Sequence, residues 1–137
     1  PACADPQPTG WRMRIEVVCR ALRDALLSHT DGAELVSASF AAGQSRAVEQ
    51  ILGVLAEAAG EAGVDTAHRV QAARTVLHYV LGATADEQSR LQWDAAGAEL
   101  PEHQSVLSGD PSAGFAFGLR LLTDGLAVQR VSSAELG

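Results

Sequence analysis

Apolar positions along this chain recur every three or four residues, the period of helices that bury one face. In residues 11–28, Trp11, Ile15, Val18, Leu22 and Leu26 share one stripe, widened by Met13, Val17 and Ala21. Thr9 stands before them as a cap, and Glu16–Arg20 and Arg20–Asp24 form solvent-side pairs four residues apart. Asp31, Gly32, Ala33 and Glu34 have the form of a capping box and open a short helix to about residue 39. Ser45 caps a third helix running to Ala62. There Gly63 supplies a left-handed stop, and Asp65 caps the next helix at once. So short a connection makes the third and fourth helices antiparallel neighbours.

The fourth helix, over residues 66–93, would be near 40 Å long at ~1.5 Å per residue. Val70, Leu77, Val80, Leu81 and Thr84 lie toward one side of it, and Val76, Tyr79 and Ala83 toward another. A helix apolar nearly all round is covered on more than one face. Gly97, Pro101 and Gly109 break the pattern over residues 94–109, and Asp110 followed by Pro111 marks the last helix. One of its stripes is Phe115, Leu119, Leu122 and Leu126; a flatter one is Gly118, Leu121 and Gly125. Gly114, Gly118 and Gly125 each cost up to ~1 kcal/mol of helix propensity unless close packing offsets it. The helix that packs there is a candidate for a second copy of the chain. Neither strand alternation nor a repeat is found. The expected fold class is all-α, a helical bundle of about five helices.

Three prolines make residues 1–10 a linker or arm; residues 11–130 form the domain, and residues 131–137 read as a flexible tail. The length, 137 residues, suits one domain, and 47% apolar with 20% charged residues excludes intrinsic disorder. A net charge of −7, with Arg the only strongly basic residue type, argues against direct contact with a phosphate backbone. No apolar run approaches the ~18 residues of a membrane span, so no membrane partner is expected. Cys3 and Cys19 are too sparse for a disulfide-rich secreted domain, which favours a cytoplasmic location. The chain begins at Pro1 rather than Met and is expected to be a piece of something longer.

Catalytic patterns are missing. His29, His68, His78 and His103 fit neither HExxH nor Glu-x-x-His spacing, and there is no phosphate-cradling Gly loop with Lys and no GxSxG. Asp86, Glu87 and Gln88 are the densest polar group, but adjacent helical positions point about 100° apart, which suits a polar helix end better than an acid–base pair. His78, within LHYVLG, reads either as a core histidine with one partner or as a ligand group. The expectation is no enzyme, no cofactor and no metal.

Three blocks carry a resemblance. WRMRIEVVCRALRDALLSHTDGAELV, VLHYVLGATADEQ and FAFGLRLLTDGL resemble, in order and spacing, the C-terminal regulatory domain of the tetracycline-repressor (TetR) family. The resemblance covers residues 11–128. It implies a homodimer built through an intersubunit four-helix bundle of the long and last helices, with Leu77, Leu81, Phe117, Gly118, Leu121 and Gly125 at the interface. It also implies a small-molecule effector pocket lined by Val17, Val18, Leu22, Leu35, Val36, Ser39, Leu55, His78 and Asp86. DNA would be reached only through an N-terminal helix-turn-helix domain absent from this chain. Two departures shape the pocket. Val36 stands where tetracycline sensors of the family place a metal-binding His, and Val18, beside Cys19, where they place an Asn. Asp86 and His78 do match family positions. A largely apolar effector that couples to DNA release, with no metal, is therefore expected; the alternative is a helical protein–protein interaction module without a ligand. An enzyme using Asp86, Glu87 and His78 has no motif behind it.

Overall fold

Five α-helices make up the computed structural model, which describes residues 10–43, 45–95, 97 and 110–136. They are α1 (Gly10–Leu27), α2 (Gly32–Ala41), α3 (Arg46–Ala62), α4 (Arg69–Ala95) and α5 (Pro111–Leu136). A single 3₁₀ turn, Thr66–His68, leads into α4. No strand occurs among the described residues, and the all-α expectation holds.

Most boundaries follow from local chemistry. The Val48 amide donates to Ser45 Oγ at 3.1 Å and starts α3. Gly63, at φ 110°, ends it: its amide donates to the Gly60 carbonyl and that of Val64 to the Ala59 carbonyl, a Schellman closure. The Ser112 amide donates to Asp110 Oδ1 at 3.0 Å at the head of α5. Asp65 departs from the expected cap. Its carboxylate meets His68 Nδ1 at 2.6 Å rather than a backbone amide, and α4 begins only at Arg69, after the 3₁₀ turn.

The joint between α1 and α2 also differs from the capping box read in the sequence. Asp31 adopts φ 59°, and Gly32 is buried where any Cβ would overlap the Leu26 carbonyl oxygen. The amide of Ala33 donates not to Asp31 but to Gln88 Oε1 of α4, at 3.1 Å. Asp31 Oδ1 accepts instead from Gln92 Nε2 at 2.8 Å. A long-range partner has taken over the cap.

Helix α4 is central and packs on α1, α2, α3 and α5, which accounts for its apolar character nearly all round. Ala73, Val76, Leu77, Val80 and Leu81 are its buried face; Ile15, Cys19 and Leu26 come from α1, Leu55 and Ala58 from α3, and Phe115 and Leu119 from α5. Each large apolar side chain buried this way contributes about 1.5–3 kcal/mol. Helix α5 continues to Leu136, through most of the stretch read as a tail. The arm at residues 1–9, and residues 96 and 98–109 of the loop before α5, lie outside the described residues, as do Cys3 and His103. No described helix is long and apolar enough to cross a membrane.

Candidate functional site

Polar groups inside the bundle form a framework around α4. Gln88 is buried: it accepts from the Ala33 amide, and its Nε2 donates to the carbonyls of Leu26 at 2.9 Å and His29 at 2.8 Å. One side chain thus satisfies three backbone groups of the α1–α2 joint. One position earlier, Glu87 receives Arg23 of α1 through both Nε and Nη2, at 2.9 to 3.1 Å. The same guanidinium lies 5.3 Å from the Phe115 ring centroid and donates to Ser112 Oγ at 3.3 Å. Tyr79 stacks on Phe115 with centroids 5.4 Å apart, and its Oη donates to the Phe115 carbonyl at 3.0 Å. Burial raises the Tyr79 phenol above its usual pKa, against a smaller opposing pull from Arg23. Burial likewise pushes the Cys19 thiol up to about 12.

The residues read as an effector pocket fall into two groups. Leu55 sits in the core, with Val18, Leu22 and Val36 half-buried against it; Ser39 is also half-buried. Val17, Leu35, His78 and Asp86 are exposed, and Asp86 accepts from Arg90 Nε one turn further on, at 2.9 Å. Four apolar members, Val18, Leu22, Val36 and Leu55, are therefore gathered at the core, while Val17 and Leu35 lie at the surface with His78 and Asp86.

The interface set divides in the same way. Leu77 and Leu81 are 0% and 5% exposed, inside this protomer's own core. Gly118 makes its close approach within the chain, because a Cβ there would overlap Tyr79 Oη. Phe117 and Leu121 are 54% and 60% exposed, Val128 continues their line, and Gly125 opens onto free space. Beside this stripe a groove of about 320 Å³ runs between the first turns of α4 and the second half of α5. Val76, Leu122 and Leu126 contribute apolar walls to it, and Leu121 and Gly125 join it to the stripe.

Three structural features escaped the sequence reading: the Gln88 clamp, the Tyr79–Gly118 fit and the state of Thr84. Thr84 is wholly buried, and its hydroxyl has no hydrogen-bond partner among the described residues. The signal available was a lone hydroxyl in an apolar run; the partners lie 36 or more residues away. Among the described residues no cluster of three His, Cys, Asp or Glu side chains could hold a metal.

The described residues thus form a helical bundle with a polar framework around α4 and an exposed apolar stripe on α5. The chain belongs to the tetracyclin repressor-like, C-terminal domain family, which matches residues 4–106. That family consists of transcriptional regulators, not enzymes. The match includes the first two blocks noted in the sequence; the third, in α5, lies beyond it. The crystal structure of Mycobacterium smegmatis BioQ is 55% identical, over 91% of this chain and 64% of that one, with a TM-score of 0.77. A second BioQ structure is 58% identical, over 85% of this chain and 62% of that one, with a TM-score of 0.74. BioQ crystallised with its natural double-stranded DNA operator is 56% identical, over 85% and 58%, with a TM-score of 0.70. The chain spans less than two thirds of the length of these structures. No match is found among curated proteins.

Proposed function

We propose that this chain is the effector-sensing and dimerisation part of a cytoplasmic transcriptional repressor of the BioQ kind. One observation carries the reading: Phe117, Leu121 and Val128 stand exposed along a single face of α5, with Gly125 bare between them. An apolar stripe of this kind marks an association surface. Residues three, four and seven apart on one helix face suit a two-fold partner helix. The partner is a second copy of the chain, in keeping with the family, and Phe117, Leu121 and Gly125 form its contact.

The effector binds toward the apolar group of Val18, Leu22, Val36 and Leu55 and favours one packing of α1 and α2 on α4. Operator DNA is reached through a helix-turn-helix domain outside this chain; the crystal structure of BioQ with its double-stranded operator supports DNA as the partner. The −7 charge keeps the sensing part itself off the phosphate backbone. Recognition helices of a dimer must stand about 34–36 Å apart, so a small pivot suffices to lose the fit. A coupling of about 1–3 kcal/mol between the two sites gives a 5–150-fold response.

Sedimentation equilibrium tests the assembly. The chain should run as a dimer at micromolar concentration, and Leu121→Arg should run as a monomer with an unchanged helical circular dichroism spectrum. A monomeric wild-type chain at that concentration would overturn the proposal.

A further inference from the structure

Threonines inside helices ordinarily settle their hydroxyl on the helix's own backbone. In this chain Thr75 donates to the Gln71 carbonyl at 2.9 Å, and Thr123 to the Arg120 carbonyl at 3.3 Å. Thr84 does neither. It is 0% exposed, and its Oγ1 is the buried side-chain polar atom left without a partner among the described residues. A hydroxyl in this condition has lost water and gained nothing, whereas valine fills the same shape without that loss. The arrangement calls for a partner that comes from outside the chain.

We infer that Thr84 is the hydrogen-bonding anchor of the effector, a small, uncharged, mainly apolar molecule carrying a carbonyl or hydroxyl oxygen. The inference rests on the sensing role proposed above and names the chemistry of that site.

Position supports it. Thr84 lies one turn after Val80 and one turn before Gln88, on the face of α4 turned to the core. Gln88 has no hydrogen left to donate: its nitrogen donates to Leu26 and His29, and its oxygen already accepts from Ala33. The ionised groups next along α4, Asp86 and Glu87, are each paired at 2.9 Å, with Arg90 and with Arg23. A charged ligand would therefore lose its hydration with nothing to pair against, while an oxygen of a neutral ligand meets a hydroxyl able to donate or accept. Its desolvation is already borne by the fold, so the new bond counts almost in full.

Cyclohexanone and methylenecyclohexane, alike in shape but differing in one oxygen, serve as probes, read through the methyl resonance of Thr84 in protein carrying ¹³C-methyl threonine. Cyclohexanone should shift that resonance saturably and bind more tightly than the hydrocarbon. Thr84→Val should weaken the ketone about tenfold and leave the hydrocarbon unchanged, both read by ligand-observed NMR. Thr84→Ser should stay within about twofold of wild type. Without ligand, Thr84→Val should melt about 2–5 °C higher. The inference is overturned if cyclohexanone leaves the resonance in place, if the two probes bind wild type alike, or if Thr84→Val keeps its ketone affinity. A lower melting temperature for Thr84→Val would overturn it too, by revealing a structural bond. None of these outcomes alters the dimer measured by sedimentation, so the two readings fail separately.

Discussion

Tyr79 occupies the space that a side chain at Gly118 would need. Its phenol crosses the bare backbone of α5 and donates to the Phe115 carbonyl at 3.0 Å, while its ring stacks on that of Phe115. The missing side chain lets α5 lie close to α4, and the tyrosine then fastens the two together.

Gly118→Ala should therefore destabilise the fold by about 1–2 kcal/mol in urea denaturation, despite the helix propensity it gains. Gly114 faces open space, so Gly114→Ala in the same assay should be neutral or stabilise by up to ~1 kcal/mol. Equal effects at the two positions would show that the Tyr79 fit carries no weight.

Gln88→Leu should lower stability by about 2–3 kcal/mol, because the Ala33 amide loses its partner inside the protein. Gln88→Glu should fare little better, since a carboxylate accepts from Ala33 but cannot donate to Leu26 and His29. Urea melts of the two variants check both statements.

The Arg23–Glu87 pair is little exposed, at 11% and 14% of its side chains. Glu87→Ala should cost about 3–5 kcal/mol by stranding the guanidinium, while Arg23→Met with Glu87→Leu should come much closer to wild type. A double-mutant cycle measures the difference, and additive single effects would contradict it.

Cys19 should resist thiol reagents in native protein at pH 8 and react fully once the chain is unfolded, as a dithionitrobenzoate assay of the Cys3→Ser variant would show. Its folded pKa of about 12 lies above the ordinary ~8.5, so above pH ~8.5 the unfolded chain releases the proton first. Stability from this thiol is full below pH ~8.5 and falls by about 1.4 kcal/mol per pH unit toward pH 12. A Cys19→Ala variant should lack that alkaline slope.

What the sequence made legible was local. Ser45, Gly63 and the Asp110–Pro111 pair act on backbone within a few residues, and the helices start or stop where those side chains say. Asp31 misled because its local cap lost to Gln88, 55 residues from Ala33, and no pattern near Asp31 announces that partner. Periodicity found the apolar faces of α4 and α5 but could not say which neighbour covers each. Leu77 and Leu81 accordingly belong to the protomer core, while Phe117 and Leu121 remain outside. His78 was read from its apolar run LHYVLG as well as from family position, and Asp86 from family position; both stand at the surface, because a polar side chain in an apolar run can still fall on the uncovered side of the helix. Thr84 looked like one more member of an apolar stripe, because the absence of a hydrogen bond has no signature in a sequence.

The Gln88 clamp also changes what the start of α2 reports. First-turn amides of a helix normally exchange with solvent freely, having no carbonyl behind them. The Ala33 amide is sealed by a side chain from another helix, and Ala33 itself is 0% exposed. Its deuterium uptake therefore follows the parting of α4 from the α1–α2 joint rather than the fraying of a helix end, making one backbone proton a clock for the opening of the bundle.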